Sequence, residues 1–315
     1  IDNPIIQKSL LNGILLGLDG QRNVTPPPKW HLLQASLLNR EDPELTKLVE
    51  RLSQVFGEQQ AAERALVILQ NKDANVPDRK QALASLLTQR YKGLVSTITS
   101  LLDEPAMRID AIRAFTTAPS PDAAKLLLNR YPTFEPEAQR AIIETLATRE
   151  SYAEALHAAL KEKKISRDAL PAYIARSLSL LLGPEFTKEF GVKELPANKE
   201  AEIAEYKALA TPAAFDRATA SSGRKVYQTI CSACHVMYGE GGKIGPELTG
   251  SNRADLNYLL LNILYPSADI ADAYKMVTII TKDGQALSGN ISEEDNQKVV
   301  LNMVGQKSTI PKSDI

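Results

Sequence analysis

Cys231-Ser232-Ala233-Cys234-His235 gathers both cysteines of the chain and one of its 3 histidines into five consecutive residues. Two thiols at this spacing can each add to one vinyl group of a porphyrin, and the adjacent histidine can reach the iron as an axial ligand. The stretch therefore reads as a covalent attachment site for one haem c, with one-electron transfer as its chemistry. Three other uses of the same residues compete. A dithiol redox centre usually opens a helix after a strand, whereas the residues before Cys231 look helical. A closed zinc site needs four ligands; His31 and His157 lie far upstream, and there is no second cysteine pair. A plain disulfide leaves His235 without a role. Haem uses all three residues at once.

The flanks agree with that reading. Gly223 to Ile230 predicts a short helix after a Ser-Ser-Gly break, with Val226, Tyr227 and Ile230 at helical spacing to face the porphyrin or a packing helix. Tyr238 to Gly250 follows, and its glycines let backbone approach a flat macrocycle closely.

These residues resemble the monohaem cytochrome c family. Gly223, Tyr227, Cys231, Cys234, His235 and the Ile244-Gly245-Pro246-x-Leu248-Thr249 segment match its pattern. The resemblance implies thioether bonds at Cys231 and Cys234, His235 as the proximal iron ligand, and a Pro246 carbonyl that orients its ring. Tyr227, Ile244, Gly245, Pro246 and Leu248 complete the expected haem-binding set. Tyr258 to Ile270 and Tyr274, with helical repeats upstream, look like the haem-binding C-terminal region of planctomycete-type multidomain cytochromes. In that group the module often follows a propeller-type dehydrogenase domain, so a dehydrogenase domain or another redox protein is the implied partner. The resemblance covers about residues 215 to 315 by motif and the upstream part by architecture.

One part of the family pattern is missing. Such folds close with a C-terminal helix preceded by the methionine that ligates the sixth iron position, but here the sequence runs only to Ile310-Pro-Lys-Ser-Asp-Ile315. Ile1 is not an initiator methionine, so a piece of a longer or processed polypeptide is expected. Among Met107, Met237, Met276 and Met303, Met276 is the in-chain candidate for the distal ligand. Residues beyond Ile315 are the favoured source.

The elements that must position this site can also be read. A chain of 315 residues with 43% hydrophobic and only 5% aromatic residues predicts two or three mainly helical domains packed by small aliphatics. A net charge of −1 carries no nucleic-acid signature. No apolar run reaches the length of a membrane span. Alanines 82, 111, 141 and 172 open similar apolar stripes, which predicts helical hairpins repeating about every 30 residues, similar to HEAT-like α-solenoids. Breaks are expected at Asp103-Glu104-Pro105, Ala118-Pro119-Ser120-Pro121 and Glu135-Pro136, and Trp30 is expected to anchor a stiff proline-rich connector in the core. After Asp269 the period becomes alternating, and Asp283-Gly284 marks a hairpin.

The expected organisation is a helical-repeat domain over 1–185, a linker over 186–212, a cytochrome c domain over 213–275, and a small antiparallel β insert over 276–315. No hydrolase, phosphate-loop or metalloprotease motif is present. The expected function is an exported, periplasmic-type electron-transfer module of an oxidoreductase, since attachment to such a motif occurs outside the cytoplasm. The alternatives are a haem enzyme with an open sixth position, or a non-haem interaction scaffold with a disulfide or zinc at the cysteines.

Overall fold

A computed structural model of the chain describes residues 3–21, 24–191, 198–267 and 270–315. Among the described residues it is mainly helical, with sixteen α-helices and a small antiparallel sheet near the C-terminus. No described helix is long and apolar enough to cross a membrane. The chain divides into two compact units, Ile1–Ile165 and Ser166–Ile315.

The first unit holds α1 (Pro4–Gly17), α2 (Trp30–Leu38), α3 (Pro43–Val55), α4 (Gln59–Gln70), α5 (Val76–Thr88), α6 (Leu94–Leu101), α7 (Arg108–Thr117), α8 (Ala123–Arg130), α9 (Pro136–Leu146) and α10 (Glu150–Lys161). Prolines sit in the first turn of α3, α5 and α9, where the missing N–H is lost without cost. The expected breaks fall between helices, at 103–105, at 118–121 and at the start of α9. Ala82, Ala111 and Ala141 are buried in α5, α7 and α9, and α7 packs against both of the others. Ala172 departs from the series. It is the exposed first residue of a helix in the second unit, where Ile174, Ala175 and Leu178 are buried instead.

Ion pairs recur between positions about one repeat apart: Lys47–Asp78 at 2.6 Å, Lys80–Asp110 at 2.8 Å and Arg113–Glu144 at 3.5 Å. Arg79 and Arg108 repeat one contact pattern. Each donates its Nε to a backbone carbonyl, Leu69 or Leu102, at 2.9 Å, and reaches forward to Glu104 or Glu135. Trp30 is buried as expected; its indole N–H donates to Glu58 at 2.9 Å and its ring meets Phe56 edge-on at 4.9 Å.

The second unit holds α11 (Ala172–Leu182), α12 (Pro184–Phe190), α13 (Lys199–Leu209), α14 (Pro212–Arg217), α15 (Ala220–Ile230) and α16 (Leu256–Leu264). A short hairpin, β1 (Val236–Met237) with β2 (Glu240–Gly241), precedes a four-stranded meander of β3 (Met276–Ile280), β4 (Ala286–Glu294), β5 (Lys298–Met303) and β6 (Gln306–Pro311). Asp283-Gly284 lies in the turn from β3 to β4, as predicted. Leu287, Leu301 and Ile310 form the core of the sheet, and Ile279 and Met303 pack against it.

The described parts of the expected linker are folded. Phe186 and Phe190 of α12 are buried and stack at 5.7 Å, and α13 packs on α16. Residues 192–197 of the expected linker, and Asp269, lie outside the described residues.

The α13–α16 contact is clasped by the Tyr265 hydroxyl, which donates to Glu202 at 2.6 Å, with Lys199 over the ring at 5.0 Å. Burial, and then the Glu202 carboxylate, push the Tyr265 phenol from 10.0 up to about 12. A group whose folded pKa is raised stabilises the fold below its unfolded pKa and loses that contribution as pH rises through the folded one. Tyr265→Phe is therefore expected to melt below the parent at pH 8, with the gap closing as pH rises from 10.0 to about 12. Thermal unfolding followed by circular dichroism checks this; a gap that stays constant across the window would refute it.

Candidate haem-attachment site

Helix α15 delivers the Cys-x-x-Cys-His motif. It starts earlier than the sequence suggests because Thr219 and Ser222 cap each other. The Ser222 N–H donates to Thr219 Oγ1 at 3.1 Å and the Thr219 N–H to Ser222 Oγ at 3.3 Å. Ser221, Ser222 and Gly223 thus lie in the helix rather than forming a break before it. After Ile230 the chain turns tightly, with the N–H groups of Cys234 and His235 both directed to the Cys231 carbonyl at 3.1 and 3.0 Å.

The glycine-rich stretch is more ordered than a flexible loop. Its first part is the β1–β2 hairpin, turned by Tyr238 and Gly239 at φ values of 52° and 80°. Two positive φ values in a two-residue turn suit the twist of the flanking strands. The buried Tyr227 hydroxyl lies 2.6 Å from the His235 carbonyl and 2.8 Å from the Glu240 carbonyl, tying α15 to both ends of the hairpin. Gly241 has no substitute there. Its φ is +120°, and a Cβ would lie 2.0 Å from the His235 carbonyl oxygen and 2.6 Å from the Tyr227 hydroxyl.

The second part is laced back onto the motif by three backbone bonds: Gly242 N–H to Ser232 O at 2.7 Å, Gly245 N–H to Cys234 O at 2.7 Å, and Leu248 N–H to Val236 O at 2.8 Å. This lacing brings the Pro246 carbonyl to 2.8 Å from His235 Nδ1. A carbonyl oxygen only accepts, so Nδ1 carries a proton, and in the neutral ring the lone pair is on Nε2. Gly245 lies against the flat of the imidazole, where a Cβ would sit 2.7 to 3.0 Å from three ring atoms. A strand of the sheet also reaches this loop, through the Asn290 side-chain amide, which donates to the Ile244 carbonyl at 2.7 Å.

The donor set fits a covalently bound haem. The two sulfurs are not joined to each other, and burial pushes the Cys231 thiol up. A dithiol redox centre needs the opposite shift. Among the described residues no three His, Cys, Asp or Glu side chains converge as metal ligands, whereas haem asks this segment for one imidazole. Burial likewise raises the Tyr227 phenol, which therefore stays a donor. Apolar surface remains uncovered beside the motif, with Val226 57% and Ile230 72% exposed on α15. In the same unit α16 buries none of its seven apolar residues. Uncovered apolar surface of this extent marks a ligand or partner site.

Tyr227, Cys231, Cys234, His235, Ile244, Gly245, Pro246 and Leu248 are thus brought into one segment. Met276 is outside its hydrogen-bond network; it opens β3, 46% exposed, opposite Asn290. Met303 packs against the sheet core, Met237 lies on β1, and Met107 is fully buried in the first unit. The sequence reading missed the Tyr238-Gly239 turn and Asn290, a buried polar side chain in a strand. The chain matches no protein-family model and no curated protein.

Proposed function

We propose that this chain is an exported c-type cytochrome module. Cys231 and Cys234 would carry one haem c by thioether bonds, and His235 would hold the iron through Nε2. The observation that carries this reading is the 2.8 Å bond from His235 Nδ1 to the Pro246 carbonyl, which fixes the tautomer and turns the free nitrogen into a ligand next to the two thiols. Bound there, haem supplies reversible one-electron transfer at a potential set by its axial ligands and burial. The protein's part is to hold the ring still. Gly245 gives it a flat seat, Pro246 holds its proton, and Tyr227 ties the helix before the motif to the hairpin after it.

The rest of the architecture follows the same reading. The buried alanines of α5, α7 and α9, with ion pairs about one repeat apart, support a HEAT-like solenoid in the first unit. Residues 213–275 would be the cytochrome c domain, and the sheet its insert. Within the chain, Met276 would be the candidate distal ligand. A dehydrogenase domain or subunit would supply the electrons.

The test is intact denaturing mass, together with the reduced-minus-oxidised spectrum, of the chain exported in cells that attach haem. A mass raised by one haem and sharp reduced bands are expected. Bare or mutually bonded sulfurs would overturn the proposal. A six-coordinate low-spin haem that ignores CO would reject an enzyme with an open sixth position.

A further inference from the structure

Resting on that haem reading, we infer that Asn290 is a positioning residue for His235, through which the β-sheet sets the orientation of the proximal ring. Asn290 occupies β4, between Met276 on β3 and Asn302 on β5, a position held by ladder pairing on both sides. Two residues earlier along β4, Ser288 meets Thr278 at 2.9 Å and Ser177 of α11 at 3.1 Å. The strand is thus fixed from both its sheet neighbours and a helix. From this support the Asn290 Nδ2 amide donates to the Ile244 carbonyl at 2.7 Å. Ile244 is buried, and the next two residues are the ones that touch the imidazole, Gly245 beneath its face and Pro246 at Nδ1. The lacing bonds of the loop return to the motif itself, whereas this bond ties the loop to the sheet.

A second observation separates positioning from mere packing. Asn290 is 4% exposed, and its Oδ1 is buried without a hydrogen-bond partner. An orphaned buried acceptor costs stability; an apolar residue would remove Oδ1 and orphan the Ile244 carbonyl in its place, so the fold gains little from the asparagine. What an apolar residue cannot supply is the donor that fixes the Ile244 carbonyl. Without it the loop loosens and the Nδ1–H bond to Pro246 lengthens. The imidazole then becomes a weaker electron donor, and the reduced iron is relatively favoured.

The experiment compares the full chain with Asn290→Leu and Asn290→Ala. Both lose the donor but differ in volume, so a shift common to both reports the hydrogen bond. The haem-loaded variants are expected to show a higher midpoint potential than the parent and a changed His235 Nδ1–H resonance, while Asn290→Leu keeps the parental melting temperature. A lowered melting temperature with an unchanged midpoint and resonance would overturn the inference and leave a structural residue only. Should the parent carry no haem, the proposed function fails, but the inference is still decided on the same chains. Faster exchange of the Gly245 amide and a shifted Nδ1–H resonance in both variants would uphold the coupling of Asn290 to the ring, and parental values would refute it.

Discussion

Gly245→Ala is expected to unseat the His235 imidazole while the backbone around it stays folded. The glycine is not held at a positive φ, so alanine brings no backbone strain there; its cost is confined to the ring. The new Cβ would stand 2.7 Å from Cε1, 2.8 Å from Nδ1 and 3.0 Å from Nε2, closer than real Cβ contacts come. The ring must retreat, yet the carbonyl that holds it belongs to the very next residue. It cannot clear the methyl and keep its 2.8 Å bond to Pro246. The displaced Nδ1–H turns to solvent, and the imidazole loses its preferred orientation. In the haem-loaded chain of the proposal, the expected result is a haem still covalently attached, with a changed spectrum and a shifted His235 Nδ1–H resonance, and a melting temperature close to that of the parent. A parental spectrum with an unchanged His235 Nδ1–H resonance would show that this contact does not seat the ring.

The second large effect belongs to the other unit. Phe115 of α7 is 0% exposed, and its helix packs on α5, α6 and α9. Truncating a fully buried phenylalanine to alanine removes its transfer free energy and leaves a cavity that neighbouring helices fill only in part, at about 3–5 kcal/mol. Phe115→Ala should lower the unfolding free energy read from denaturant titration of the helical signal by that amount, while the His235 Nδ1–H resonance stays parental, because the site lies within the second unit. A loss under about 1 kcal/mol would mean that the core around α7 collapses readily onto the smaller side chain.

What the sequence made legible depended on how local the cause was. Cys231, Cys234 and His235 could be singled out from spacing alone, and the structure adds the Pro246 carbonyl at His235 Nδ1. The helix breaks near Pro105, Pro119 and Pro136 were readable because proline acts on its own turn. The four-stranded sheet was readable from alternation and from Asp283-Gly284. The errors lie where a distant partner decides. Ser221, Ser222 and Gly223 looked like a break because a serine, not a glutamate, completes the cap with Thr219. The charged stretch from Lys199 looked like linker because its partners lie far along the chain, Glu202 with Tyr265 spanning 63 residues. Ala172 continued a sequence period whose packing had already ended. Asn290 looked like an ordinary strand residue until the fold brought Ile244 beside it.

The half-buried state of Cys231 bears on its reactivity. A thiol kept protonated by its surroundings attacks disulfides and oxidants slowly, so burial at one end of the Cys-x-x-Cys pair slows closure of the two sulfurs on each other.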